Sequence, residues 1–175
     1  MSDVNVDCKF TEANYNFRYR AGAIIVEMGE VLLVGSIFNG VYTYYTVGGG
    51  VHMGELSADA VIREGIEETG IKFEIERLAV IHENFYGDFH LNTVGKMCHE
   101  LAFYYLMKPR GTKELNEPQS KNSGGYNEKM HWIKISELNR FNVYPTFLKK
   151  YLTHPNEKLV HIITDNRDRN ISDFN

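Results

Sequence analysis

The sequence contains little cysteine, little proline and no long apolar run. Its two cysteines, Cys8 and Cys98, could form only one bridge, which is not the framework on which small secreted domains depend. Four prolines, with eleven tyrosines and ten phenylalanines, argue against disorder. No apolar stretch approaches the roughly 18 residues of a membrane span, and residues 1–20 lack the basic start and apolar core of a secretory signal. We therefore expect reduced thiols and a cytoplasmic protein without a membrane segment.

An excess of positive charge is also missing. The 19 Lys and Arg residues against 23 Asp and Glu residues give a formal net charge of -4. Because non-specific binding to nucleic acid rests on many cationic contacts to phosphates, we expect no extended nucleic-acid surface. The expected partner is a small molecule, and an anionic one requires a metal to supply positive charge locally. The length of 175 residues predicts one domain over residues 1–175, with residues 1–16 as a peripheral segment.

Strand and helix patterns are mixed along the chain. Two β-branched-rich runs flank a Met28-Gly29-Glu30 turn, which predicts a hairpin over residues 19–34. Residues 109–129 are polar and without a steady period, which predicts a long loop and a candidate substrate lid. The mixture predicts an α/β or α+β sandwich instead of a helical bundle. The remaining predicted elements are strands at 42–47, 74–86, 96–107, 130–135 and 158–164, and a helix from Pro145 to Tyr151. The strand at 96–107 is expected to be covered on both faces.

The best-bounded helix follows a run of three glycines. Ser57 is a good N-cap for a helix over residues 58–69, and Gly70 can adopt the left-handed conformation that ends one. The glycines predict a flexible, backbone-exposed loop that can cradle phosphate or give a carbonyl to a metal. The helical wheel places on the sheet-facing side Ala58, Val61, Ile62, Gly65 and Thr69.

Three glutamates, Glu64, Glu67 and Glu68, share the other side of this helix. A solvated face is the usual explanation for such a cluster. However, like charges three and four residues apart destabilise a helix, and anions before Gly70 oppose the helix dipole. A divalent cation would convert both costs into affinity. Carboxylate oxygens favour Mg²⁺ or Mn²⁺, so the pattern indicates phosphoryl transfer or hydrolysis.

The spacing of these residues resembles the Nudix box, G-x5-E-x7-R-E-U-x-E-E-x-G-U with U aliphatic. The chain has Gly49, then Glu55 after five residues, and then, after seven more, the run REGIEETGI at residues 63–71. Eight of the nine defined positions match, and the departure is Gly65 in place of an aliphatic residue. The resemblance implies an α/β/α sandwich around a mixed β-sheet with a loop-helix-loop catalytic motif. It also implies Mg²⁺- or Mn²⁺-dependent cleavage of a nucleoside diphosphate linked to another moiety.

The resemblance assigns roles to residues by position. Glu64 and Glu68 match the principal metal ligands, and Glu67 matches a further ligand, direct or through water. The Gly48 carbonyl is similar to the backbone ligand of some members. Glu55 and Arg63 match a salt bridge that braces the motif.

Several alternatives remain open from the sequence. The general base is a box glutamate, Glu100 or Glu128, with Glu83 a weaker candidate. A nucleotide-sensing module without turnover is the second hypothesis for function, although this chain keeps every box glutamate. Specificity is expected from residues 85–92 and 109–129, which match no subfamily pattern. Dimerisation is common in the family, and no stripe of this sequence decides it.

Overall fold

A computed structural model of the protein describes residues 5–38, 40–88, 96–116 and 128–167. In chain order the elements are β1 (Lys9–Glu12), β2 (Tyr15–Ile24), β3 (Val26–Glu27), β4 (Glu30–Phe38), β5 (Val41–Thr46), β6 (Gly48–Gly50), α1 (Ser57–Thr69), β7 (Ile75–Asp88), β8 (Lys96–Met107), β9 (Lys129–Lys134), a 3₁₀ helix (Ile135–Arg140), β10 (Val143–Tyr144), α2 (Phe147–Thr153) and β11 (Val160–Asp165). The predicted mixture of strands and helices is confirmed.

The strands form a six-stranded sheet and a five-stranded sheet within the described ranges. The larger sheet has the order β1-β2-β8-β7-β11, with β6 added beside β2. Its β2–β8 and β7–β11 pairs are parallel, whereas its β1–β2, β2–β6 and β7–β8 pairs are antiparallel. The smaller sheet has the order β10-β5-β4-β3, with β9 beside β4. This is the predicted mixed α/β fold, with mixed sheets and few helices.

Two hydrophobic cores lie on opposite faces of the central strand β8. Tyr105 and Met107 belong to one core, which contains Ala60 and Val61 of α1. Ala102 and Tyr104 belong to the other core, which contains Leu148 and Tyr151 of α2. Alternate side chains of a strand point to opposite faces, so β8 is covered on both sides as its sequence predicts. The sheet thereby carries α1 on one side and α2 on the other.

The predicted hairpin over residues 19–34 is only partly right. The turn at Met28 and Gly29 is present, with φ of 50° and 79°, and it joins the short β3 to β4. Residues 19–24, however, belong to β2 and pair with β8 in the larger sheet. The chain therefore passes from one sheet to the other at residue 25. A sequence pattern cannot show this change of partner, because both pairings suit the same β-branched run.

Three details of the predicted helix differ in the structure. Leu56, not Ser57, occupies the N-cap position, and the Ser57 hydroxyl shares a hydrogen bond of 2.7 Å with the Tyr105 hydroxyl. Ala60 is buried where the wheel places Ala58. The buried Gly65 faces the Phe73 ring instead of a strand, and a Cβ there would lie 3.3 Å from Cδ2 of that ring. The end at Gly70 is as predicted, with φ of 69°.

The second half of the chain follows the predicted order with shifted bounds. The helix after Pro145 begins at Phe147 and ends at Thr153, two residues later at each end than predicted. The first residues of the loop at 109–129 are held in place, because the buried Glu27 carboxylate accepts hydrogen bonds from the backbone N–H groups of Arg110 and Gly111. Residues 89–92 and 117–127, parts of the predicted specificity segments, lie outside the described residues. In the described part of the chain, no helix is long and apolar enough to cross a membrane.

Candidate metal and active site

The three glycines predicted to form a flexible loop are instead the strand β6. They pair antiparallel with residues 20–22 of β2. Gly48 has φ of 140°, and a Cβ at this position would overlap the Ala21 carbonyl oxygen. A Cβ at Gly49 would overlap the Glu64 carboxylate. Glycine is therefore required here for the close approach of a strand on one side and of a carboxylate on the other.

Two of the three box glutamates face this glycine strand. Glu64 and Glu68 are four residues apart, so they lie on the same side of α1. The Gly48 N–H donates a hydrogen bond of 3.3 Å to Oε2 of Glu68, and the Glu64 carboxylate lies against Gly49. Glu67 does not face the glycine strand. Its side chain is 57% exposed, and one of its carboxylate oxygens lies 3.5 Å from the Arg63 guanidinium. The predicted grouping of three carboxylates is thus a pair with a more exposed neighbour.

The Arg63 guanidinium connects the loop after β6 with the Glu64 carboxylate of α1. Its Nε and Nη2 donate to the two oxygens of Glu55 at 2.9 and 3.0 Å, the bidentate geometry that favours arginine over lysine. Nη2 also donates to the Gly50 carbonyl at 2.9 Å, and Nη1 donates to Glu64 at 2.6 Å. These hydrogen bonds lower the pKa of Glu55 and raise that of Arg63. The brace that the resemblance implies is present in the geometry.

The two carboxylates facing β6 are difficult to ionise. Burial is the main cause that raises the pKa of Glu68 to about 8, with a partial opposing effect of the Arg20 charge and further raising by Glu64 and Glu128. Burial also raises the pKa of Glu64, and the hydrogen bond from Arg63 offsets part of this effect. Carboxylates whose charged forms are destabilised in this way are stabilised by a nearby cation.

The donors in this region fit a hard divalent ion. Two carboxylates and the Gly48 carbonyl offer only oxygen, which Mg²⁺ and Mn²⁺ prefer, and Mg²⁺ takes few protein ligands. In the described residues no group of three His, Cys, Asp or Glu side chains is arranged to hold a metal ion. The reason is visible in the contacts, because Arg63 holds Glu64 and Glu67 is turned toward solvent. The fit therefore rests on Glu64, Glu68 and backbone oxygen.

Arg20 is a residue of the site that the sequence did not single out. It lies on β2, and its Nη2 donates to the Gly48 carbonyl at 2.9 Å. Its Nε is buried without a hydrogen-bond partner among the described residues. The sequence does carry a signal for it: Arg18 and Arg20 occupy alternate positions of a strand whose other residues are mostly aromatic or apolar, which places two guanidinium groups on one sheet face.

The two candidate bases outside the box differ in their surroundings. Glu100 is buried, and its carboxylate pairs with the Arg18 guanidinium at 3.1 Å. Burial lowers the pKa of Arg18, but the charges of Glu100 and Tyr86 outweigh it, so the pKa lies above its ordinary value. Glu128 precedes β9 and lies close enough to Glu68 to raise its pKa. Glu83, the weaker candidate, contacts His161 at 2.7 Å on β11.

Comparisons with known proteins agree with this fold. No curated protein matches the sequence. Among solved structures, a MutT protein from Methanosarcina mazei Go1 has a TM-score of 0.57 at 18% identity, covering 78% of this chain and 91% of its own. A MutT NUDIX hydrolase from Burkholderia pseudomallei has a TM-score of 0.55 at 24% identity, covering 80% and 98%. An ADP-ribose pyrophosphatase from Streptococcus suis has a TM-score of 0.53 at 17% identity, covering 84% and 98%.

At these identities the structural neighbours show the fold alone. The sequence itself shows the family, because the model of the NUDIX domain matches residues 16–154. This range contains the whole box and both sheets, except for β1, the first residue of β2, and β11. Members of this family typically use a divalent metal. The chain belongs to the NUDIX domain family of hydrolases.

Proposed function

We propose that the protein hydrolyses a phosphoanhydride bond in a nucleoside diphosphate linked to another moiety, with Mg²⁺ or Mn²⁺. One observation carries the proposal: Glu64 and Glu68 face a glycine strand, their pKa values are raised, and the metal ligands available there are carboxylate and backbone oxygens. Such an arrangement is costly for the folded chain, since Arg63 and Arg20 offset only part of the cost, and a bound cation would offset more of it. The family match and the MutT and ADP-ribose pyrophosphatase neighbours support the reaction class.

Different residues of the site would hold the metal ion, position its ligands and bind the substrate. Glu64, Glu68 and the Gly48 carbonyl would hold the ion, which supplies charge neutralisation at the diphosphate oxygens. Arg63 fixes Glu64 and the loop after β6, so its role is positioning. Arg20 brings a positive charge beside Gly48, where it can attract a substrate phosphate.

For the water-orienting carboxylate we favour Glu128 over Glu100. A base must lie within hydrogen-bond reach of the attacking water, and Glu128 is near Glu68. Glu100 is buried and held by Arg18 at 3.1 Å, so its use as a base would require breaking this ion pair, which is unfavourable for a buried carboxylate. Replacement of Glu128 by Gln should therefore lower kcat by about 100-fold or more, as expected for loss of a general base.

The test is hydrolysis of a substrate panel with and without Mg²⁺. The panel contains dinucleoside polyphosphates, nucleotide sugars, ADP-ribose, NADH, capped RNA and oxidised nucleoside triphosphates. Release of a nucleoside monophosphate or of pyrophosphate from one member, abolished by Glu68→Gln, would support the proposal. Absence of turnover by folded protein at high enzyme concentration would refute it. If Glu128→Gln retained full activity, the base would lie elsewhere.

A second experiment tests the alternative hypothesis, a nucleotide sensor without turnover. A calorimetric titration with ADP-ribose and Mg²⁺ followed by recovery of the ligand gives the answer. Unchanged ligand after tight binding would favour the sensor, whereas recovered AMP would exclude it. The chain keeps every glutamate of the box, and this favours the enzyme over the sensor.

A further inference from the structure

The segment at residues 6–8, called here the N-terminal strap, binds directly to the loop that follows β6. The Cys8 N–H donates to the Val51 carbonyl at 2.7 Å, and the Met53 N–H donates to the Val6 carbonyl at 2.8 Å. The Cys8 carbonyl in turn accepts the Tyr19 N–H of β2 at 3.0 Å. Residues 1–16, expected to be peripheral, thus include a segment hydrogen-bonded to the catalytic box. The strap lies outside the family match, which begins at residue 16.

The side chain in the middle of the strap, Asp7, lies over the end of the glycine strand. A Cβ added at Gly50 would lie only 2.7 Å from Cγ and Oδ1 of Asp7, so this carboxylate occupies the space that glycine leaves. An oxygen of Asp7 also lies 3.7 Å from Nε2 of His52, and Nδ1 of the same ring lies 3.8 Å from Glu55. The His52 imidazole therefore lies between a strap carboxylate and the brace carboxylate.

The loop from Gly50 to Glu55 is held on two sides as a result. On one side Arg63 donates to the Gly50 carbonyl and to both oxygens of Glu55. On the other side the strap supplies two backbone hydrogen bonds and the Asp7 side chain. Gly50 follows Gly49, against which the Glu64 carboxylate lies. A shift of the loop at Gly50 therefore moves the surface on which Glu64 rests.

We propose that Asp7 and His52 are positioning residues of the active site. Together they hold the loop after β6 against the Arg63 brace, so that Glu64 and Glu68 keep the separation that metal binding needs. This inference rests on the proposed function for its catalytic readout, and on metal binding for an independent one. Neither residue contacts the substrate in this proposal, since both act through Gly50 and Glu55.

The test compares Asp7→Asn and His52→Gln with Glu12→Gln, which removes one exposed carboxylate from the neighbouring strand β1. Partners of metal ligands typically change affinity by 10–100-fold, and Asp7 is one contact further away. We expect kcat to fall about tenfold with KM changed by less than about twofold, and Mn²⁺ affinity to weaken about threefold to tenfold. Glu12→Gln should change none of these, and Asp7→Glu should restore part of kcat.

Coupling between the residues distinguishes positioning from a general loss of stability. The double variant Asp7→Asn with His52→Gln should lose no more activity than the worse single variant, because both act on one contact. Gly50→Ala should reduce kcat in the native chain, since its Cβ displaces Asp7, and should cost much less in an Asp7→Ala background. Additive losses, or a Tm drop that accounts for the whole effect, would overturn the proposal.

Two measurements keep this inference separate from the proposed function. Mn²⁺ binding without nucleotide and amide exchange of Met53, whose N–H bonds to the strap, need no substrate. If no nucleotide is hydrolysed but Asp7→Asn weakens Mn²⁺ binding and speeds exchange at Met53, the strap stands and the reaction assignment fails. If hydrolysis is found but Asp7→Asn matches Glu12→Gln in every readout, the reaction stands and the strap is wrong.

Discussion

Replacing Glu68 by Gln should make the metal-free protein more stable at high pH while abolishing its activity. The carboxylate of Glu68 lies half-buried against β6, and desolvation there raises its pKa from 4.5 to about 8. Between these two pH values the folded chain keeps a proton on Glu68 that the unfolded chain has lost. Metal-free stability therefore falls as pH rises from 4.5 to 8. Glutamine is neutral at every pH and can still accept the hydrogen bond from the Gly48 N–H, so it escapes this loss.

The size of the effect follows from the pKa difference. Each pKa unit corresponds to about 1.4 kcal/mol, so a rise of about 3.5 sets an upper limit of about 5 kcal/mol above pH 8. Relaxation of the site, water entry and the Arg20 charge reduce this value, and we expect a gain of about 2 kcal/mol at pH 9. For a chain of this length, about 1 kcal/mol shifts Tm by roughly 2–4 °C. The variant should melt about 4–8 °C higher.

The assay is thermal and urea unfolding in EDTA at pH 5, 7 and 9. Glu67→Gln is the matched control, because its side chain is 57% exposed and stands away from β6. The gain for Glu68→Gln should be largest at pH 9 and close to zero at pH 5. Added Mg²⁺ should stabilise the native chain and leave the variant nearly unchanged. Equal stability of variant and native chain at pH 9, or a gain that persists at pH 5, would refute the electrostatic reasoning.

Three further predictions follow from the same geometry. Arg63→Lys should lower kcat by about 10–100-fold in initial-rate assays, because a lysine cannot replace the bidentate bonds to Glu55 and the bond to Gly50. A rate within about threefold of native would show that these bonds are dispensable. Mn²⁺ affinity, measured by calorimetry at several pH values, should rise between pH 6 and pH 8.5 and then level off, because the ion must displace the proton of Glu68. An affinity that does not change with pH would contradict the raised pKa of Glu68. Gly48→Ala should destabilise the chain by about 3 kcal/mol or more, because at φ of 140° a Cβ would overlap the Ala21 carbonyl. Gly29→Ala is the control and should cost only about 1 kcal/mol, because Gly29 has φ of 79° and open space around it. Similar urea midpoints for the two variants would be evidence against the close approach of β6 to β2.

The features that the sequence predicted well are local in the chain. Helix α1 is defined by its periodicity and by Gly70, which adopts the expected left-handed conformation. Glu55 and Arg63 are only eight residues apart, one just before α1 and the other in its second turn, so a spacing is enough to bring them together. The box glutamates were found for the same reason, because four residues of helix bring Glu64 and Glu68 to one side. In each case the relevant distance is set by covalent connection and helix geometry.

The features that the sequence did not predict depend on pairing between distant segments. Gly48 to Gly50 form a strand because residues 20–22 of β2 lie beside them, and a glycine run alone indicates only a loop. Arg20 joins the site through that same pairing. Glu67 turns outward because Arg63 prefers Glu55 and Glu64, a competition that a helical wheel does not represent. Asp7 is more than 40 residues from the loop that it contacts, and its contact depends on the bridge with His52.

The two carboxylates that face β6 are stabilised by different means, which assigns them different roles. Glu64 accepts a bond of 2.6 Å from Arg63, so part of its charge is compensated before any ion binds. Glu68 has the Gly48 N–H at 3.3 Å and the longer-range Arg20 charge, and its pKa remains about 8. A bound cation therefore gains more binding free energy from the ionised Glu68 carboxylate than from the Glu64 carboxylate, whose charge is already partly compensated. We expect the pH response of metal binding to follow Glu68, and the geometry of the site to depend on Arg63 through Glu64.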